Sequence, residues 1–200
     1  MPSEKLLREI FERNGFYLTE EKLEKFSIYL EQLKRWNKIH NLTAIEDPKE
    51  IAIRHFLDSL TLTLCFKEKE VKVEGKTFCD VGSGAGFPGV PLSIYYGETL
   101  DITLIESVSK KCAFLEFLRA HLDLNYKVLC KRAESLNQQF DYALCRALGK
   151  LEDIKPMLLT LAKEGVFIMK GKEIPKGYDY CRITLRDIKD SYIIFIPKIR

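Results

Sequence analysis

Residues of types suited to ligand binding crowd into one stretch and its sequel. Phe78-Cys79-Asp80-Val81 is a short apolar run that ends on an acidic residue and breaks into Gly82-Ser83-Gly84-Ala85-Gly86-Phe87-Pro88-Gly89, after which Val90 to Tyr96 resumes a helix-compatible pattern. The stretch predicts a strand, a glycine turn and a helix. Only glycine accepts φ > 0 freely and lets a ligand reach the main chain with no Cβ in the way, so such a turn wraps closely around a nucleotide-like molecule. The free N–H groups that open the following helix suit a ligand carboxylate. A second apolar run, Leu100 to Glu106, ends on a carboxylate twenty positions beyond Gly86, where nucleoside-binding sheets place the group that takes both ribose hydroxyls.

A phosphate-cradling loop needs Gly-Lys-Ser/Thr after its glycines, and Phe87-Pro88-Gly89 supplies none of these. Gly84, Gly86 and Gly89 fit the dinucleotide spacing, but Gly82 holds the place directly after the strand and Phe87 falls where the third glycine belongs. A strand ending in Asp followed by G-x-G-x-G resembles the first motif of S-adenosylmethionine (SAM)-dependent methyltransferases. Nicotinamide binding and a purely structural turn remain as alternatives on spacing alone.

The elements that must position these residues can be read in order. Leu6, Leu7, Ile10 and Phe11 predict a helix over 4–15 that stops at Asn14-Gly15. Thr19 is placed to cap a second helix with the apolar stripe Leu23, Phe26, Leu30 and Leu33, and with Lys34, Arg35 and Lys38 on its opposite edge. That basic cluster is either a solvated face or a contact for RNA phosphates. Pro48 restarts a helix running to about 66, inside which Arg54 and Asp58 share a face; Arg54, His55 and Asp58 form a capping network, a salt bridge or a ligand site. A Lys- and Glu-rich linker over 67–76 follows. Beyond the glycine turn come a helix over 107–121 with Lys110 and Lys111 near its start, strands over 126–130, 141–145 and 165–170, a helix over 151–162, and a closing hairpin over 178–187 and 191–197. Strand-helix alternation from 77 to 170 demands a mostly parallel sheet with right-handed crossovers. We expect a helical extension over 1–70 and a ligand-binding domain over 71–200.

With 200 residues, 46% of them hydrophobic, the chain suffices for one well-buried domain and a modest appendage. A net charge of +3 is too small to argue for nucleic acid from bulk electrostatics, so local clusters must carry that case. No run approaches the roughly 18 apolar residues of a spanning helix, and we expect a soluble cytoplasmic protein without membrane contact. Six cysteines would permit three disulfides by count, but their spacing argues otherwise: none form a C-x-x-C pair, and Cys79, Cys130 and Cys145 lie in apolar strand-like runs where cysteine behaves as a small hydrophobe. No metal site is expected, since none of the three histidines pairs with a cysteine at ligand spacing.

The chain resembles the glucose-inhibited division protein B family, bacterial methyltransferases of small-subunit ribosomal RNA that modify a guanine at N7. The matching pieces, in order from about 41 to 171, are Asn41-Leu42-Thr43, His55-Phe56-Leu57-Asp58-Ser59-Leu60, Asp80 through Gly89 with Pro91-Leu92, Glu106-Ser107 with Lys110-Lys111, Arg132-Ala133-Glu134, Arg146-Ala147 and Lys170-Gly171. The resemblance implies an α/β class I methyltransferase, Rossmann-like, with a mostly parallel seven-stranded sheet that ends in an antiparallel hairpin. It further implies that SAM is held by Asp80, Gly82, Ser83, Gly84, Gly86, Phe87, Glu106, Ser107, Ala133, Glu134 and Arg146, and yields S-adenosylhomocysteine. The partner would be 16S rRNA, the small subunit or an assembly intermediate, reached by a monomer. Arg54 and His55 join Lys34, Arg35, Lys38, Lys110, Lys111 and Lys170 as RNA-binding candidates. On residue type alone, Glu134 reads equally as an exposed carboxylate and Arg146 as a buried ion-pair partner.

Guanine N7 carries an in-plane lone pair and no proton, so its methylation requires no general base. Alignment and exclusion of water would supply most of the gain, and Arg146 and Lys170 are positioning candidates rather than acids or bases. Two other readings stay open. A thiolate at Cys145 could attack a pyrimidine to permit C5 methylation, which requires a lowered pKa. The chain could also be a non-catalytic RNA-binding assembly factor.

Overall fold

The computed structural model describes residues 2–146 and 149–199; Ala147, part of the Arg146-Ala147 motif, lies outside them. Helix α1 (Pro2–Arg13) and α2 (Glu20–His40) form an antiparallel pair. Thr19 caps α2 by accepting from the Lys22 N–H, and Asn41 ends it in the left-handed conformation at φ 50°. Asp47 caps the short α3 (Pro48–Ile51), with Pro48 in its first turn.

The helix expected next is not regular. The pattern over 49–66 predicts one continuous α-helix, whereas Ala52–Leu57 is a π-helical turn leading into α4 (Asp58–Glu68). The wider turn changes the phase of the helix and buries His55.

Strands β1 (Thr77–Val81), β2 (Asp101–Glu106), β3 (Lys127–Cys130), β4 (Phe140–Arg146), β5 (Ala162–Gly171), β6 (Asp179–Ile183) and β7 (Ser191–Pro197) form one sheet in the order β3-β2-β1-β4-β5-β7-β6. The first five run parallel, and β7 pairs antiparallel with both β5 and β6. Helices α5 (Gly89–Tyr96), α6 (Ser109–His121) and α7 (Leu151–Leu161) link β1 to β2, β2 to β3 and β4 to β5, while β3 reaches β4 through a 3-10 turn at Ala133–Ser135.

Side chains alternate across the strands and divide the core. Phe78, Leu104, Leu144 and Phe167 face a cluster that contains Leu7, Phe26, Phe56 and Leu115, so α1 and α2 share a core with the sheet. Cys79, Val81, Cys145 and Ile168 face the other way, against Ile154, Leu158 and Leu161 of α7. Among the described residues no helix is long and apolar enough to cross a membrane.

The cysteines depart from expectation. Cys65 of α4 is bonded to Cys181 of β6, and Cys112 of α6 to Cys130 at the end of β3, with Cα separations of 5.7 and 5.8 Å. Spacing along the chain is silent about pairs that are joined by packing of helix on strand, and both Cα separations suit a bridge. Cys79 and Cys145 are free and buried, as their apolar runs suggest.

Candidate functional site

The strand order reverses between β1 and β4, where open α/β sheets leave a crevice at their carboxyl ends. Val81 pairs with Ile105 on one side and with Cys145 on the other. Gly82, Glu106 and Arg146 therefore meet at one edge.

The glycine turn is fixed from below by Asp80. Its Oδ2 accepts from Ser83 Oγ at 2.6 Å and from the Gly89 N–H at 2.8 Å, which ties the end of β1 to the start of α5. Oδ1 is buried without a hydrogen-bond partner among the described residues. Burial pushes the carboxyl up to about 7, against the pull of Ser83 and Gly89. Gly82, Gly84 and Gly86 have φ of 71°, 59° and 108°, which only glycine adopts without strain. Tyr29 of α2 closes the turn from the other side, donating its hydroxyl to Ala85 O at 2.7 Å and stacking on Phe87 at 5.6 Å.

A cavity of about 360 Å³ opens above this turn. Of the residues expected around a cofactor, Gly82, Gly84, Glu106, Ser107, Ala133 and Glu134 line it. Lys111 lines it too, together with Lys131, Arg132, Ile154 and Met157. Asp80, Ser83, Gly86 and Phe87 do not: all are buried beneath the turn and shape it rather than wall the cavity. Glu106 Oε1 accepts from the Gly84 N–H and Oε2 from the Val108 N–H, each at 2.8 Å. A carboxylate has about four acceptor positions, so both oxygens retain capacity for a diol. Small Ala133 with apolar Ile154 and Met157 offers a slot for a flat ring, and these features fit an adenosine-bearing cofactor.

Arg146, at the end of β4, serves a neighbouring cavity of about 500 Å³, together with Arg54, Asp58, Met169, Lys170 and Glu173. Its guanidinium donates to Arg54 O at 3.0 Å and to His55 Nδ1 at 2.8 Å, approaches Asp58 Oδ2 at 3.5 Å, and lies 5.1 Å from the centre of the Phe87 ring. His55 stacks on the same ring at 4.3 Å, and its Nε2 meets Thr43 Oγ1 at 2.8 Å. Burial, then the charges of Arg146 and Arg54, lower the imidazole to about 3, so it is neutral. Arginine has no acceptor, which leaves Nδ1 bare and the proton on Nε2, donated to Thr43. Burial raises Asp58 while Arg146 opposes it.

The RNA-binding candidates divide. Arg54 and Lys170 line the Arg146 cavity, and Lys170 pairs with Glu173 at 3.0 Å. Lys111 lines the first cavity; Lys110 is exposed beside it in sequence. Lys34 and Lys38 border a third cavity of about 220 Å³ with Asn37, Thr43 and Ile45, and Arg35 is exposed. His55 is 8% exposed and faces Arg146 and Thr43, not solvent.

Tyr29 is missing from the expected site, although it follows Phe26 by three and so shares the apolar stripe. Thr43 belongs to the Asn41-Leu42-Thr43 motif, which the sequence leaves without a role. Cys145 is fully buried, and burial followed by the nearby Asp80 charge pushes its thiol up to about 12. That is the reverse of what an attacking thiolate needs.

Comparison with known proteins agrees with this geometry. Residues 22–182 match the family described as GidB, rRNA small subunit methyltransferase G. The ribosomal RNA small subunit methyltransferase G of Aquifex aeolicus is 50% identical over 95% of this chain and 98% of its own length. That of Macrococcus caseolyticus is 39% identical over 97% of this chain and 84% of its own. In fold, the chain is similar to the magnesium protoporphyrin IX methyltransferase of Synechocystis PCC 6803, solved with bound SAM, with a TM-score of 0.60 at 14% identity over 92% of this chain and 99% of the other. It is also similar to the 16S rRNA N2 G1207 methyltransferase of T. thermophilus, with a TM-score of 0.55 at 14% identity over 71% of this chain and 43% of the other. A cavity floored by the glycine turn, and a match spanning most of both chains, lead to one conclusion: this chain belongs to the rRNA small subunit methyltransferase G (GidB) family.

Proposed function

We propose that this chain is a SAM-dependent methyltransferase that transfers the methyl group to N7 of a guanine in 16S rRNA, free or within the small subunit, acting as a monomer in the cytoplasm. The observation that carries the reading is Glu106, buried beside the glycine turn with acceptor capacity to spare and lining one cavity with Ala133. The bound cofactor would supply an electrophilic methyl on a sulfonium. Gly82, Gly84, Glu106, Ser107, Ala133 and Glu134 would hold its nucleoside, and Asp80, Ser83, Gly86 and Phe87 would keep the turn in shape. The cavity beside Arg146 is the place for the base.

The side chains then have positioning work rather than proton transfer. N7 has no proton to lose, and the histidine nearest the site is neutral and committed to Arg146 and Thr43. Arg146 and Lys170 would orient the RNA chain, while Phe87 and His55 exclude water beneath it. The helices within 1–70 would extend the surface offered to RNA.

Mapping the methyl group in 16S rRNA treated with this protein and labelled SAM tests the reading. Mass spectrometry should find 7-methylguanine at one position, and a methylated pyrimidine or no product would refute it.

A further inference from the structure

The cavity beside Arg146 holds a carboxylate whose own pairing is loose. Asp58 opens α4 directly after the π-helical turn, and among the described residues its only ion pair is the long 3.5 Å approach of Oδ2 to Arg146. Arg146 does not depend on it, being held more closely by Arg54 O and His55 Nδ1. Asp58 is nevertheless half-buried, with 23% of its side chain exposed, and it lines the same cavity as Lys170. With its nearest cation 3.5 Å away, this carboxylate keeps acceptor positions that a ligand in the cavity can take.

We propose that Asp58 selects guanine, accepting hydrogen bonds from N1–H and the 2-amino group of the target base. This inference rests on the guanine-N7 reading above. Guanine alone among the four bases presents two adjacent donors on its Watson–Crick edge, and the two oxygens of a carboxylate match them side by side. Adenine would turn the bare N1 lone pair toward the negative charge. The N7 of a purine lies on the edge away from those donors, so a base anchored at α4 keeps N7 free to face the glycine turn. Glu173 also lines the cavity, but it is 72% exposed and paired with Lys170, so water competes for it.

The test uses 16S rRNA, or small subunits reconstituted from it, carrying guanine or inosine at the methylated position. Inosine keeps N7 and N1–H but lacks the 2-amino group. The wild type should favour guanine by about 10- to 100-fold in kcat/KM, the worth of one hydrogen bond to a charged acceptor. Asp58→Asn and Asp58→Ala should lose at least that factor on guanine, since the N1–H bond goes too, and treat the two bases alike within roughly twofold, with SAM affinity unchanged in calorimetry as the check on folding. A variant that still prefers guanine as the wild type does overturns the proposal. So does loss of the preference in Glu173→Gln instead. Product analysis keeps two failures apart: 7-methylguanine with an unaltered preference removes Asp58 alone, whereas a methyl at another atom removes the reading beneath it.

Discussion

Arg146 can only donate, and this makes His55 a fixed acceptor whose protonation the fold resists. A group with a native pKa lowered to about 3 from 6.5 binds fewer protons folded than unfolded across that interval. Its stabilisation is therefore complete above pH 6.5 and is lost as pH falls toward 3, with a slope of up to about 1.4 kcal/mol per pH unit. Asp80, raised to about 7, works in the opposite sense above its unfolded value, so the useful comparison is between variants. In urea titrations at pH 4 to 7, His55→Asn should lose less stability on acidification than the wild type. Parallel curves would mean that His55 is already charged. Glu106 makes a different demand, because its oxygens serve the main chain as well as the expected diol. Glu106→Ala should weaken SAM and S-adenosylhomocysteine together by roughly 1.5–3 kcal/mol in calorimetry, while RNA affinity stays. An effect on RNA alone would place the ribose elsewhere.

At the level of elements, the glycine turn is held between β1 and α2. A Cβ on Gly86 would lie 2.6 Å from Tyr29 Oη and 2.7 Å from Val90 Cγ2, at φ +108°; on Gly15, at φ +89°, it would meet nothing. Gly15→Ala should cost about 1 kcal/mol of backbone strain. Gly86→Ala should cost roughly 2–4 kcal/mol, since overpacking adds to strain, and equal losses in denaturant would show that Tyr29 does not brace the turn. The strand, turn and helix from 78 to 96 were legible in the sequence because glycine has a local reason to recur there. Glu106 was legible too, because a parallel sheet fixes the distance from one strand end to the next. The roles of Tyr29 and Asp58 were not. Each depends on how an N-terminal helix docks on the sheet, and the π-helical turn that orients His55 and Asp58 leaves no mark in a periodicity of 3.6. The disulfides escaped for the same reason, since only packing brings 65 to 181.

For the whole molecule, positive charge is distributed over separate elements: Lys34, Arg35 and Lys38 on α2, Lys110 and Lys111 on α6, and Lys170 on β5. If α2 tracks RNA phosphates, a Lys34/Arg35/Lys38 triple-alanine protein should bind SAM normally, lose RNA affinity most at low salt, and flatten log K against log salt by roughly 0.7 for each phosphate left without its cation. Unchanged affinity and slope would make that face a solvated surface. The two disulfides should also contribute unequally. Loop-closure entropy assigns about 5 kcal/mol to Cys65–Cys181, with a separation of 116 residues, and about 3 kcal/mol to Cys112–Cys130, with a separation of 18. Paired serine variants should rank in that order in thermal unfolding.

The sheet order has a consequence for the time course of synthesis. β6 is made before β7, yet among the described strands it has no neighbour except β7, which lies between it and β5. Until residues 191–197 leave the ribosome, β5 presents an open edge and 179–183 has nothing to pair with. The glycine turn and Glu106 are translated long before, but the sheet that carries them is finished only when 191–197 emerges. A nascent chain stalled before β7 would display an unpaired edge to its surroundings. Completion of this sheet thus waits on β7, whatever has folded before it.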